Sequence, residues 1–265
     1  MPSVFSWFAM SKQLTAGAEE IIELSNFASI VTGEGDWMPA GFPLEDGSFW
    51  QYQEPGAVVI VQDGFLRVAA VPYTRGHDRV QILDNAKHMY FSTRQFAPPE
   101  GGSISFSLDL AATIVNGAPG DLYDAFVSFN VLDFSTGAAL DFFVGNDVLS
   151  TVYGKLPFPG VPDAATAHGP RYFCLFEELR GATTPGALHH FEIVYDGAAD
   201  RVAFLIDGNR VREYLNVPFK LGPCNLALGL MSEKDIQLGK GSASCHGQGA
   251  VGKWGNIRIA RRAGC

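Results

Sequence analysis

Residues 189–213 read HHFEIVYDGAADRVAFLIDGNRVRE, and this stretch decides the fold. Phe191, Ile193 and Tyr195 alternate with His190, Glu192 and Val194. Beyond Asp196-Gly197, Val202, Phe204 and Ile206 alternate with Arg201, Ala203 and Leu205, and Asp207-Gly208 turns the chain back into Arg210-Val211-Arg212. A period of two buries one face of a strand, and Asp-Gly supplies the positive φ angles of a tight antiparallel turn. The stretch therefore predicts antiparallel strands of a β-sandwich.

The same signals recur outward from it. Residues 57–62 and 65–71 flank Asp63-Gly64 as a hairpin; 88–92, 103–110, 125–134, 139–144, 148–153, 172–177, 225–230 and 254–260 also read as strands. The run SISFSLDL at 103–110 alternates throughout, predicting one buried and one wet face. Ala16, Ala18, Ile21, Ile22 and Leu24 predict a short helix within 13–25, and the Gly- and Pro-rich residues 32–47 predict loop. Two further loops are expected at 157–170, with four prolines, and at 239–255, with six glycines. With no internal repeat and no linker, the reading is all-β: a two-sheet antiparallel jelly roll of about a dozen strands. Residues 1–47 read as an N-terminal extension packed on a sandwich formed by 48–265.

A chain of 265 residues can bury a large core without staples. Its 20 phenylalanines exceed what strand patterning alone requires, which assigns most to a thick core and some to a pocket. A net charge of −9 argues against nucleic acid as a partner. The basic group of Arg258, Arg261 and Arg262 reads as solvated. No apolar run reaches the length of a membrane span, and the start MPSVFSWFAMSKQL lacks the basic region and cleavage site of a secretory signal. Cys174, Cys224, Cys245 and Cys265 show no CxxC spacing, so reduced thiols in a cytoplasm are the expectation.

The phrase HHFEIVYD followed by DRVAFLIDG resembles the late strands of concanavalin-A-like jelly rolls, the group of legume lectins, laminarin-type glucanases and some polysaccharide lyases. LDFFVGNDV at 140–148, YGKLPFPG at 153–160 and CHGQGAVGKWGNIRI at 245–259 are similar to an uncharacterised, mainly actinobacterial family with that presumed fold. The resemblance covers roughly the last half of the chain and implies architecture more than activity. Its glucanases carry Glu-x-Asp-x-Glu on a central strand. The matching residues here are Asp141-Phe142-Phe143-Val144-Gly145, so a single acid remains and that strand cannot supply two carboxylates.

Several groups bear chemistry. GQGAVG at 247–252 fits a dinucleotide fingerprint by letter, but only thirteen residues follow it, too few for the helix and return strand that the motif needs. His77, His88, His168, His189, His190 and His246 show no metal spacing, so neither a metal nor a cofactor is expected; calcium on scattered loop oxygens would leave no mark in sequence. Cys245-His246 lacks the local signature of a thiol enzyme, whereas His246 beside Gln248 in a Gly-rich loop is a candidate ligand or acid/base group, weighed against a loop histidine that caps carbonyls. Asp141 among apolar neighbours would be desolvated and suited to donating a proton, weighed against an acid tied to amides or an arginine. Tyr153 and Lys155 could donate a proton or hold a carbonyl oxygen; the plainer role for Tyr153 is packing. Ser128 and Asn130 share a strand face beside Phe126 and Phe134, the mixture an organic-ligand pocket uses, and Phe143 and Trp37 complete the candidate lining. Glu177 and Glu178 point to opposite faces of their strand.

Three functions follow as expectations. The first is a cofactor-free acid/base enzyme of cyclase, isomerase or lyase type, acting on a largely apolar small molecule with Asp141, Tyr153 and His246 as proton-handling groups. The second is carbohydrate binding or cleavage, with Trp37, Trp50 or Tyr123 stacked along an open groove. The third is a non-catalytic interaction module with a flat apolar patch at a homodimer contact. A closed pocket, an open groove or neither distinguishes the three.

Overall fold

In the computed structural model, residues 17–264 are described apart from 34, 45, 78–82, 159, 160, 162–171 and 238. The chain runs through β1 (Glu19–Glu23), the short helix α1 (Ala28–Thr32), β2 (Trp37–Pro39), β3 (Gly41–Pro43) and β4 (Phe49–Gln51). It continues through β5 (Val58–Gln62), β6 (Phe65–Ala70), β7 (Gly76–His77), β8 (Asp84–Ser92) and β9 (Ser103–Val115). After a single 3-10 turn at Leu122–Asp124 come β10 (Phe126–Leu132), β11 (Ala138–Val144), β12 (Val148–Lys155) and β13 (Phe173–Arg180). The last five strands are β14 (His189–Asp196), β15 (Arg201–Ile206), β16 (Asn209–Leu215), β17 (Asn225–Lys234) and β18 (Gly249–Arg262).

Two antiparallel eight-stranded sheets form the sandwich. The first runs β16-β15-β14-β9-β18-β6-β5, with β1 also on β18; the second runs β13-β12-β11-β10-β17-β8-β2, with β7 also on β8. A separate two-stranded sheet joins β3 to β4. The residues 189–213 are three neighbouring strands of the first sheet. Asp207 and Gly208, with φ of 49° and 75°, make the primed turn between β15 and β16, and Asp63 and Gly64 repeat it at 53° and 75° between β5 and β6.

Between the sheets, Phe106, Leu108, Phe191, Ile193 and Trp254 of the first meet Phe129, Phe142, Leu140 and Leu228 of the second. The Phe142 ring lies edge-on to Phe191 and Phe204, with centroids at 4.9 and 5.3 Å. The second sheet is also covered on its outer face. Phe126, Phe143, Met89, Phe91, Val152 and Met231 form a second apolar cluster there, with Ala40, Tyr52 and Phe158 from outside the sheet. Strands β10, β11 and β12 are therefore buried along their whole length.

Four sequence expectations change. The helix expected within 13–25 is strand β1 over its described part, Glu19–Glu23; residues 13–16 lie outside the described residues. Pairing with β18 overrides helix propensity: Glu19 faces Arg262 and Glu20 faces Arg261, with ion pairs of 3.2 and 2.8 Å. The window 32–47, read as loop, contains β2 and β3, so the N-terminal segment contributes a strand to each large sheet. The loop expected over 239–255 gives way to β18 from Gly249 onward. The strand expected at 88–92 begins at Asp84, four residues earlier. The loop expected at 157–170 lies almost entirely outside the described residues.

Candidate functional site

Alternation decides what the second sheet presents on its outer face. Leu140, Phe142 and Val144 point into the core, so Ala139, Asp141 and Phe143 point outward. Antiparallel register places Asn130 beside Asp141, and Met231 beside both Phe126 and Lys87. A roof closes over this floor. Phe42 comes from the β3–β4 hairpin, Tyr52 follows β4, and Leu156, Pro157 and Phe158 follow β12. Phe134 links the two sides, with its centroid 5.8 Å from Phe42 and 5.1 Å from Phe158.

Floor and roof border a half-open cavity of about 470 Å³ whose walls are mostly aromatic and aliphatic. Four polar side chains meet it: Lys87, Asn130, Asp141 and Glu233, besides the Tyr52 phenol and the Cys174 thiol. Asp141 is 4% exposed and its Oδ1 has no hydrogen-bond partner. Burial drives its carboxyl well above the usual carboxylate range, the Glu233 charge adds to this, and Lys87 opposes it. Asp141 therefore keeps its proton to higher pH than an ordinary carboxyl. The Lys87 side chain is 3% exposed, with Nζ 3.7 Å from Glu233 Oε1 and 5.4 Å from the centre of the Tyr52 ring. Burial lowers the Lys87 ammonium, against the pull of Glu233 and Asp141. Burial raises Glu233, against Lys87. The proton affinities of this pair are thus brought toward each other. The Tyr52 hydroxyl is also buried without a partner. The Cys174 thiol is pushed up to about 12 by burial and then by Asp141 and Glu233, so it is no nucleophile at neutral pH.

Of the residues picked out in sequence, Asp141, Asn130 and Phe143 line this cavity. Ser128 and Phe126 belong to the same face behind the lining: Ser128 Oγ accepts Asn130 Nδ2 at 2.9 Å, and the Phe126 ring stacks on Phe143 at 4.2 Å. The other five are elsewhere. Tyr153 points between the sheets, stacked on Tyr214 at 4.5 Å, because it shares the inward phase of Leu149. Lys155 has the same inward phase at the end of β12, opposite Ala138. Trp37 is fully buried in the core, donating its indole N–H to Leu24 O at 3.1 Å. His246 and Gln248 form a separate cluster. His246 Nε2 lies 2.8 Å from Asp124 Oδ1, Lys234 Nζ lies 2.9 Å from the same oxygen, and Gln248 Nε2 donates to Asp124 O and Ser244 O. The Asp124 carboxyl also accepts the Ala118 amide, so the cluster ties the loop before β18 to the 3-10 turn. The Cys245 thiol is raised to about 11 by burial, then by Glu54 and Asp84, which removes it as a nucleophile beside His246.

Lys87, Glu233, Tyr52, Phe42, Phe158 and Phe176 escaped the sequence reading. The available signal for the two charges was phase. Lys87 continues the outward series of Met89 and Phe91 one residue before the strand expected at 88–92, and Glu233 continues that of Ala227 and Met231 three residues beyond the strand expected at 225–230.

A model for a family of unknown function matches residues 26–263. No curated protein sequence matches the chain. Among solved structures, the β-glucanase of Bacillus licheniformis superposes with a TM-score of 0.53 at 11% identity, covering 94% of this chain and all of that one (100%). The endo-1,3-β-glucanase of Streptomyces sioyaensis gives 0.52 at 13% identity, covering 86% and 90%. A prokaryotic β-1,3-1,4-glucanase from a mouse hindgut metagenome gives 0.51 at 12%, covering 92% and 98%. At these identities the likeness establishes the concanavalin-A-like jelly roll.

Proposed function

The chain belongs to that family, DUF6081, and on that premise we propose that its cavity binds a compact, mainly apolar organic molecule and transfers a proton to it from Asp141. The observation that carries this reading is the buried Asp141 carboxyl with an unpartnered oxygen in a half-open, largely aromatic pocket. A buried polar atom without a partner costs stability, and a ligand oxygen placed against it removes that cost. A carboxyl held neutral by its surroundings donates a proton best where charge develops on a ligand oxygen or carbon. Glu233 and Lys87 exchange protons with the ligand's other end, so cyclisation, isomerisation and elimination are the reactions served. A volume of about 470 Å³ suits a molecule of two or three fused rings.

The carbohydrate reading also has specific support. The solved neighbours are named as glucanases, and the pocket contains a second carboxyl, Glu233, that the Asp141 strand itself lacks. Titration calorimetry with 2-naphthol and with laminaritriose separates the two. We expect 2-naphthol to bind with micromolar affinity and to lose it in Phe143→Trp, which fills the cavity. Laminaritriose binding without 2-naphthol binding overturns the apolar-ligand reading in favour of a glycan site.

A further inference from the structure

Lys87 carries a capacity in this pocket beyond proton exchange. Among the described lysines it alone lines the cavity. Lys220 is an exposed partner of Asp200, Lys234 is paired with Asp121 and Asp124, and Lys253 lies over the Phe65 ring at 4.0 Å. Lys87 emerges from β8 opposite Met231 and passes beside the Tyr52 ring, so its stem is held in an apolar wall while its nitrogen reaches the cavity. Glu233 lies at 3.7 Å from that nitrogen, and Asp141 lines the same cavity. An amine in an apolar site, with two carboxyl groups lining the same cavity, is an arrangement suited to carbonyl condensation.

We propose that the ligands of this site carry an aldehyde or ketone, and that Lys87 Nζ forms an imine with that carbonyl. The inference rests on the reading that the cavity binds an organic molecule. Glu233 takes a proton from the Lys87 ammonium, freeing the nitrogen lone pair. The lone pair attacks the carbonyl carbon, forming the C–N bond, while the carbonyl π pair moves to oxygen and is protonated by Asp141. The resulting carbinolamine loses its hydroxyl as water, taking a proton from Glu233 as the nitrogen lone pair forms C=N. Nitrogen has by then lost one proton to Glu233 and a second to the Asp141 carboxylate, directly or through solvent, before the iminium forms. The sum is ammonium plus carbonyl giving iminium plus water, with both carboxyl groups restored. The positive charge on nitrogen then draws electrons from the adjacent carbon, which makes that carbon acidic and serves the isomerisation and elimination chemistry above. Burial, by lowering the proton affinity of Lys87, raises the fraction of free amine at neutral pH.

The test uses the whole chain with 2-naphthaldehyde and cyanoborohydride at pH 7, followed by peptide mapping in a mass spectrometer. We expect Lys87 to be trapped as the reduced secondary amine about tenfold faster than Lys220, and the advantage to disappear in Glu233→Gln while Lys220 labelling is unchanged. Equal rates at Lys87 and Lys220, or no label on Lys87, overturn the inference. Calorimetry with 2-naphthol, which has the same rings and no carbonyl, tells the two failures apart. If 2-naphthol binds and Lys87 stays unlabelled, the imine falls and the pocket reading stands. If neither reagent is taken up, both fall.

Discussion

Asp141 and His88 show how burial sets proton affinity in opposite directions. The folded protein holds Asp141 protonated well above the usual range, so folding takes up a proton there. Stability from this group is complete below the unfolded carboxyl range near pH 4 and is lost as pH rises through its folded value. Asp141→Asn, which keeps the shape without the charge, is therefore expected to raise Tm by about 3 °C at pH 8 and to leave it unchanged at pH 4, checked by differential scanning calorimetry. His88 runs the other way. Its Nδ1 accepts the Glu54 amide at 3.1 Å, which leaves the ring proton on Nε2 to be donated to Tyr90 Oη at 2.9 Å. Burial lowers this imidazole to about 4, so its stabilisation is present above the unfolded value near 6.5 and lost as pH falls through 4. The difference between wild type and His88→Gln in urea-unfolding free energy should accordingly change by on the order of 3 kcal/mol between pH 7 and pH 4. A flat difference would show that the imidazole titrates freely.

At the scale of elements, the β3–β4 hairpin belongs to neither large sheet and serves as a wall of the cavity. Gly41 sits where a methyl group would strike the Trp50 carbonyl and the Phe49 ring. Gly41→Ala should thus push the hairpin outward, weakening 2-naphthol binding about tenfold while costing about 1 kcal/mol of stability, because the main core is untouched. A loss of binding matched by collapse of Tm would contradict that division of labour. The elements also show what was legible in sequence. Alternation and Asp-Gly turns mark β14 and β15 because Phe191, Ile193, Tyr195, Val202, Phe204 and Ile206 put an unbroken apolar series on one face. β1 was misread since EEIIE also suits a helix, and only Arg261 and Arg262 across the sheet decide otherwise. Asp141 was visible because an acid among phenylalanines is anomalous within its own strand. Lys87 and Glu233 were not, because their meeting with Asp141 depends on the register of four strands, which no local pattern encodes. For the same reason the pairing of His246 with Asp124, 122 positions apart, left no trace in sequence.

At the scale of the whole molecule, the second sheet divides two jobs between its faces, and adjacent phenylalanines report on each. Phe142 is locked between Phe191 and Phe204 in the core, whereas Phe143 faces the cavity and stacks on Phe126. Phe142→Ala is expected to cost about 4 kcal/mol, and Phe143→Ala no more than about 2 kcal/mol, because the cavity beside it already leaves one side unpacked. Chemical denaturation of the two variants measures both, and equal costs would mean that the outer face is as tightly packed as the core. The roof hairpin has a consequence for how the cavity is reshaped. The floor of the cavity is tied to the sandwich, since its side chains alternate with those that hold the sheets together. The β3–β4 hairpin, outside both large sheets, carries no such double duty. Substitutions in that hairpin therefore reshape the cavity while leaving the sheet contacts beneath it in place.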